Sequence, residues 1–144
     1  MKRLLVFVFA LVLLGSCKKN SDANSEQGYS GSYTGTVIDS MNGTYHSTLN
    51  NHTIIIVPTQ TQGVVSLANG LLMTNTGNIS GNTFQIPQTI AAENGFMKVI
   101  ESADGTFGGP DNNTWTVTFY QDQVDTATNN VFATLSRSCV LIKQ

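Results

Sequence analysis

The chain has 144 residues, of which 11% are charged, and its formal net charge is −2. Residues 28–144 hold three basic and seven acidic side chains and therefore carry a net charge of −4. Three scattered bases exclude the basic patch that nucleic-acid binding requires, while 117 residues are enough for one domain with its own core.

The first residues of the chain are typical of a signal peptide. Met1-Lys2-Arg3 is basic, and the apolar run from Leu4 to Leu14 is shorter than the about 20 residues that span a bilayer. Leu14-Gly15-Ser16-Cys17 follows and resembles a bacterial lipobox. The resemblance implies cleavage after Ser16 and attachment of acyl chains to Cys17, which anchor such proteins to a membrane.

The residues after Cys17 indicate where the protein is localised and where the folded domain begins. Lys18 stands where lipoproteins retained in the inner membrane usually carry aspartate, so the resemblance implies the outer membrane, on its periplasmic or cell-surface side. Lys18 to Gln27 is polar and cannot bury enough surface to fold. We therefore divide the chain into a lipoprotein signal peptide (1–16), the lipidated cysteine with a flexible linker (17–27) and a single β-barrel domain (28–144).

Turn signals follow one another through the rest of the chain. Asn-Gly and Asp-Gly pairs supply the positive φ that two-residue hairpin turns need, and many of these turn signals recur about 8–12 residues apart, which is typical of antiparallel sheets. The predicted turns are Asn42-Gly43, Asn69-Gly70, Gly77-Asn78, Gly81-Asn82, Asn94-Gly95, Asp104-Gly105 and Gly108-Gly109-Pro110-Asp111.

Between these turns apolar and polar residues mostly alternate, as in Thr114 to Phe119. This alternation predicts strands with one buried and one solvent-exposed face. Ile54 to Val57 is continuously apolar and is expected to be covered on both faces, with Pro58 ending the strand. Thr83 to Pro87 and Phe96 to Ser102 are weaker strands, and Val64 to Met73 fits either a hairpin or a short helical lid. The sequence predicts an all-β fold, an antiparallel up-and-down barrel of about eight strands, with a β-sandwich as the alternative.

A second resemblance rests on the two ends of the domain. Gly31-Ser32-Tyr33 lies on the first predicted strand, and Arg137 lies on the apolar face of the last. Lipocalins and other calycins are up-and-down barrels that begin with Gly-x-Trp, and a late arginine packs across that ring; this chain is similar, with Tyr33 in place of tryptophan. The resemblance implies that Tyr33 and Arg137 form a barrel-closing structural pair.

Recognisable catalytic motifs are missing from the sequence, so we expect no enzyme and no cofactor. His46 and His52 would share a side of a straight strand, but we expect surface histidines and no metal site. Glu93, Glu101 and Asp104 are candidates for a glycosidase carboxylate pair, and the favoured interpretation is solvated acids beside turns.

Three further positions have specific chemistry. Cys139 has no partner within the domain and is expected to pack as a small, inert hydrophobic residue. Asp39-Ser40-Met41 and Asp125-Thr126-Ala127 fit an Asp-Ser/Thr-apolar O-glycosylation pattern of some Gram-negative groups, and we expect both in loops.

These features favour a membrane-anchored envelope lipoprotein, non-enzymatic, whose β-barrel binds a small apolar or amphipathic ligand. The expected partners are the membrane, through acyl chains on Cys17, and a small hydrophobic ligand. The alternative is a cell-surface or envelope interaction module that contacts protein or glycan and has no internal ligand. An exposed aromatic patch would indicate that alternative, and its candidates are Tyr45, Phe107 and Tyr120.

Overall fold

The computed structural model describes residues 28–144, which form eight antiparallel strands in chain order. The strands are β1 (Gly31–Met41), β2 (Thr44–Pro58), β3 (Val64–Ala68), β4 (Thr76–Ser80), β5 (Thr83–Glu93), β6 (Met97–Gly108), β7 (Thr114–Asp125) and β8 (Val131–Lys143). A single 3₁₀ turn, Pro110–Asn112, joins β6 to β7. No helix in this part of the chain is long and apolar enough to cross a membrane.

Each strand pairs with its neighbour in sequence, and β1 pairs with β8 to close the sheet. The closing ladder runs from Tyr33 opposite Lys143 to Met41 opposite Leu135. The predicted up-and-down barrel of about eight strands is therefore confirmed, and the sandwich alternative is wrong. Closure pairs the backbone groups that the first and last strands of an open sheet would leave exposed.

The predicted alternation places side chains inside and outside the barrel. In β7, Trp115, Val117 and Phe119 are buried, while Thr116 between them is exposed. The expectation that Ile54 to Val57 is covered on both faces is wrong, because Val57 is 46% exposed although the strand does end at Pro58. One face of that strand packs inside the barrel, and the other lies on its surface.

Two glycines predicted to mark turns lie inside strands. Gly77 is in β4, where a Cβ atom would collide with the ring of Phe84. Gly105 is in β6, where a Cβ atom would stand 2.7 Å from the carbonyl oxygen of Thr116. These glycines permit a close approach of neighbouring groups rather than a reversal of the chain. Asn42-Gly43, by contrast, is a hairpin turn with φ of 49° and 77°.

The two ends of the barrel differ in composition. Rings of Tyr33, Phe84, Phe107 and Phe119 surround Trp115 at centroid distances of 5.7, 5.0, 5.5 and 6.1 Å, and Trp115 is 0% exposed. We call this half, where the domain begins and ends, the aromatic end. It is filled by its own side chains.

The opposite half carries the tips of the β1–β2, β3–β4, β5–β6 and β7–β8 hairpins, and we call it the hairpin end. β3 and β4 have five residues each, whereas the other strands have 11 to 15. β3 pairs with β2 only over Ile55–Pro58, and β4 pairs with β5 only over Thr83–Gln85. The barrel wall is therefore short on this side, and the β3–β4 loop (69–75) lies beside the gap.

Candidate functional site

Polar side chains face inward at the hairpin end of a barrel whose buried core is otherwise apolar, and four of them form two cross-strand pairs. The register places Asp39 of β1 directly opposite Arg137 of β8, and Glu101 of β6 directly opposite Gln121 of β7. Because Gln121 lies two residues beyond Phe119, which is the partner of Arg137, the two pairs occupy adjacent inward-facing rows. We call these four residues the polar cluster.

The ion pair of the cluster is partly open to solvent. Arg137 Nε lies 3.4 Å from Asp39 Oδ1, and the two side chains are 22% and 15% exposed. Asp39 Oδ2 accepts a hydrogen bond of 3.1 Å from Ser47 of β2, while Oδ1 is buried and has the ion pair but no hydrogen bond. Arg137 Nη1 donates to the carbonyl oxygen of Leu71 in the β3–β4 loop.

Glu101 holds the same loop from the other side. Its side chain is 0% exposed, Oε1 accepts from Met73 N at 3.1 Å, and Oε2 accepts from Thr74 N at 2.8 Å. Gln121 Nε2 donates to Oε1 at 3.0 Å. An ionised carboxylate is an acceptor only, and all three contacts are accepted, so two successive backbone N–H groups and one amide compensate its burial.

The β3–β4 loop therefore lies across the hairpin end between two fixed contacts. Leu71 and Leu72 pack against the core, and His52 Nε2 is 3.1 Å from the carbonyl oxygen of Asn69 at the start of the loop. Of the two predictions for Val64 to Met73, the helical lid is wrong. The hairpin is present, but its connection is the whole loop rather than Asn69-Gly70 alone.

The structure does not bring Tyr33 and Arg137 together. In the β1–β8 ladder Tyr33 lies opposite Lys143, and Arg137 lies opposite Asp39, six residues further along β1. At about 3.3 Å per residue this separates them by roughly 20 Å. Lys143 Nζ is the cation at the Tyr33 ring, 5.9 Å from its centroid. The pairing implied by the calycin resemblance is corrected accordingly.

The candidate glycosidase carboxylates are not assembled either. Glu93 and Asp104 are exposed, and Asp104 points outward, where Gln85 Nε2 donates to it at 3.2 Å. Glu101 points inward, three positions from Asp104 on the same strand. The interpretation of Glu101 as a solvated acid is wrong, because it is the one charged side chain fully buried in the described domain.

The two histidines lie on an irregular part of β2. The ladder with β1 shifts between Gly35 and Val37 and again between Asp39 and Ser40, so this strand is not straight. His46 is exposed, and residues 28–144 contain no group of three metal-ligating side chains.

Cys139 is buried inside the barrel, 2% exposed, as predicted for a small hydrophobic residue. Burial, and secondarily the carboxylate of Asp39, raises the pKa of its thiol from 9.0 to about 12, while Arg137 opposes that shift. The thiol is therefore protonated at neutral pH, which disfavours reaction because the thiolate is the nucleophile.

Of the three aromatic residues predicted to form an exposed patch, one lies in the core and two lie on the surface. Phe107 is 2% exposed and belongs to the aromatic end, so its prediction is wrong, whereas Tyr45 and Tyr120 are 65% and 38% exposed. A shallow groove of about 340 Å³ lies on the outer wall of β5, β6 and β7, lined by Asp104 and by threonines that include Thr116. It is separate from the polar cluster, which faces the barrel interior.

The predicted lipid attachment site and the two predicted O-glycosylation sites lie in different parts of the chain. Cys17, the predicted lipid attachment site, lies outside the described residues. Asp39-Ser40-Met41 was expected in a loop but ends β1, and its aspartate is engaged by Arg137. Asp125-Thr126-Ala127 does enter a turn, where Thr126 Oγ1 donates to the carbonyl oxygen of Gly95 at 3.0 Å.

Comparison with known proteins gives no match: no family model, no curated protein and no solved structure is similar enough to this chain to indicate a family.

From the sequence, Glu101 was named only as a candidate carboxylate and Gln121 was not singled out, although a signal that both side chains face inward was present. Val99, Glu101, Ala103 and Phe107 share one phase of the strand and are buried, so the same period that buries Val99 also buries Glu101. Gln121 continues the inward series of Trp115, Val117 and Phe119. An acid or amide that falls on the apolar phase of a strand is the pattern to look for.

Proposed function

We propose that this protein is a membrane-anchored envelope lipoprotein, non-enzymatic, that binds a small amphipathic ligand at the hairpin end of its barrel. The observation that carries the proposal is Arg137, an inward-facing cation that is 22% exposed and bonded to a loop carbonyl. A cation that faces the barrel interior and is accessible from solvent is suited to bind the carboxylate or carbonyl oxygen of an amphipathic ligand, because the guanidinium group donates several hydrogen bonds in a fixed geometry.

The β3–β4 loop supports this proposal because it has the chemistry of such a ligand. It presents a carbonyl oxygen to Arg137 and packs two leucine side chains, Leu71 and Leu72, against the core. A ligand with a carboxylate or carbonyl head and an apolar chain makes the same contacts when this loop moves aside. The loop is anchored separately by Glu101, through the backbone N–H groups of Met73 and Thr74.

The filled aromatic end limits where a ligand can lie. Trp115 and Phe84 are 0% exposed and occupy the barrel axis at that end. The ligand must therefore be short, and its apolar part contacts the hairpin-end side chains Met41, Leu49 and Leu135, the first two of which are 46% and 44% exposed.

Calorimetric titration with dodecanoate tests the proposal, with dodecanol as the ligand that lacks the carboxylate. We expect saturable binding of dodecanoate, weakened at least about tenfold in Arg137→Gln, since a charged hydrogen bond is worth about 1.5–3 kcal/mol. Lys143→Gln is the matched control, because it removes a cation at the aromatic end. If neither compound binds saturably, the proposal is contradicted. If Arg137→Gln and Lys143→Gln lose the same amount of affinity for dodecanoate, the role of Arg137 is contradicted.

Anchoring at Cys17 has its own test. Labelled palmitate should enter the wild-type chain and not Cys17→Ser, and that variant should leave the membrane fraction. The lipoprotein assignment is contradicted if Cys17→Ser stays in the membrane fraction and the wild-type chain takes up no labelled palmitate.

The interaction module stays as a second candidate because the surface of the hairpin end is apolar. Phe96, at the β5–β6 turn, is 87% exposed, and Phe132, near the β7–β8 turn, is 55% exposed. Large exposed side chains at one end of a domain indicate a contact surface.

A further inference from the structure

Six of the thirteen large hydrophobic side chains that are exposed in residues 28–144 lie together around the tips of the hairpin end. They come from all four hairpins of that end, and we call them the apolar rim: Met41, Tyr45, Met73, Phe96, Val131 and Phe132. Their exposed fractions run from 46% to 87%. The rim is the surface around the polar cluster, at the end of the barrel opposite Gly28, where the described chain begins.

The rim is held in place by hydrogen bonds between neighbouring tips. Thr126 N donates to the carbonyl oxygen of Phe96 at 3.1 Å and links the β7–β8 turn to the β5–β6 turn. Asn42 N donates to the carbonyl oxygen of Thr134 at 2.8 Å and links the β1–β2 turn to β8. The apolar side chains are therefore presented on a preformed frame, and docking does not have to order the turns first.

The charges near the rim indicate what kind of surface it meets. The basic side chains of this half of the described domain are Lys98, which donates to Asn129 at 2.6 Å, and Arg137, which is paired with Asp39. With a domain charge of −4, this end has no free cationic cluster for anionic lipid heads. The apolar tips are flanked by Asn, Thr and Gly and also by two acids, the exposed Glu93 and Asp125, whose carboxylate is bonded within its own turn, so a neutral, zwitterionic lipid surface fits better than an anionic one.

The length of chain before the described domain allows the rim to reach the bilayer that holds Cys17. The eleven residues from Cys17 to Gln27 span at most about 36–40 Å when extended. A twelve-residue strand such as β7, tilted by about 40°, gives a barrel height of roughly 30 Å. The linker is therefore long enough to run along the barrel and let the hairpin end face the membrane.

We infer that the apolar rim docks into the zwitterionic lipid surface of the membrane that anchors the chain. The side chains come from four separate hairpins rather than from one strand or helix, which suits a soft lipid interface better than a rigid protein partner. Docking in this orientation opens the polar cluster toward the membrane, which is itself a source of amphipathic molecules. The inference rests on the proposed anchoring at Cys17 and does not require a bound ligand.

Quenching of a tryptophan placed on the rim tests the inference in the full chain. Trp115 is the only native tryptophan and is 0% exposed at the aromatic end, so it supplies a constant background. Phe96→Trp places the reporter on the rim, and Val140→Trp is the matched control on the side wall, where Val140 is 57% exposed. Each chain is reconstituted into phosphatidylcholine vesicles with or without brominated acyl chains.

We expect the added emission of Phe96→Trp to be quenched at least about twofold by brominated lipid, because interfacial side chains lie about 5–10 Å into the headgroup and acyl boundary. Val140→Trp should be quenched much less. Equal quenching of both variants, or no quenching in a chain that floats with the vesicles, overturns the docking inference and leaves the anchoring intact. A chain that does not float contradicts both the anchoring and the docking.

Discussion

The ammonium group of Lys143 lies 5.9 Å from the centroid of the Tyr33 ring and donates a hydrogen bond of 2.9 Å to the carbonyl oxygen of Gly28. The Tyr33 hydroxyl donates to the carbonyl oxygen of Tyr29 at 2.9 Å, and burial raises the pKa of Tyr33 to about 12. The last strand is thereby tied to the residues that precede the first, and this contact closes the aromatic end. Arg137 lies at the hairpin end instead, where it pairs with Asp39 and donates to the carbonyl oxygen of Leu71.

Removing the Glu101 carboxylate should destabilise the protein strongly. Glu101→Ala leaves the N–H groups of Met73 and Thr74 without their partner, and each such loss costs about 1–3 kcal/mol, so we expect the free energy of unfolding to fall by roughly 3–5 kcal/mol. Urea denaturation measures this change. Glu93→Gln, at an exposed position, is the control, and its free energy of unfolding should stay within about 0.5 kcal/mol of wild type. An equally small effect of Glu101→Ala would contradict the role of Glu101 in holding the β3–β4 loop.

The close approach at Gly105 predicts a large difference between two glycines of the same strand. An alanine Cβ at Gly105 meets Thr116 O at 2.7 Å and Val117 Cβ at 2.8 Å, whereas one at Gly108 has nothing within 4 Å. We expect Gly105→Ala to cost about 1–3 kcal/mol, as overpacking does, and Gly108→Ala to be neutral within about 0.5 kcal/mol. Thermal unfolding distinguishes them, and similar melting temperatures would show that β6 and β7 are not packed as described.

Cys139 should resist thiol reagents until the barrel opens. In a Cys17→Ser background, Ellman's reagent at pH 8 is expected to react at least about 100-fold more slowly with the folded chain than with the denatured one, because burial holds the thiol protonated. A raised folded-state pKa contributes stability that is complete below the unfolded pKa of 9.0 and is lost as pH rises toward 12. Rapid labelling of the folded chain would contradict the burial.

Asp125 should contribute to stability at neutral pH and lose that contribution in acid. The backbone N–H of Thr128 and then its hydroxyl lower the pKa of Asp125, whose Oδ1 accepts from them at 2.7 and 2.8 Å. A lowered folded-state pKa gives stability that is present above the unfolded value of about 3.9 and is lost as pH falls through the folded value. The stability of Asp125→Asn should thus decline less between about pH 4 and pH 2 than that of the exposed Asp111→Asn. Equal slopes would contradict the role of this turn.

The fold was largely predictable from local patterns, because alternation and turn pairs act over a few residues. Asn42-Gly43 and Asn94-Gly95 mark real hairpin tips, and the inward series from Trp115 to Phe119 is buried as expected. Gly77 and Gly105 were misassigned because glycine serves both reversals and close contacts, and only the packed neighbour distinguishes the two uses.

The candidate site was much less predictable, because it depends on register between strands that are far apart in sequence. Tyr33 and Arg137 were paired from a resemblance, yet closure of β1 on β8 places Lys143 at the ring and Asp39 at the arginine. The alternation of β6 already placed Glu101 inside. What local sequence does not encode is that a loop 27 residues away supplies its hydrogen-bond donors.

Amide chemical-shift mapping during a dodecanoate titration tests the central claim most directly, because it locates the ligand on the barrel. We predict that the largest changes fall on the β3–β4 loop and on Gln121 and Arg137, while Phe84 and Trp115 at the aromatic end stay unchanged. Changes centred on the aromatic end, on the outer groove around Thr116, or nowhere on the barrel would contradict it.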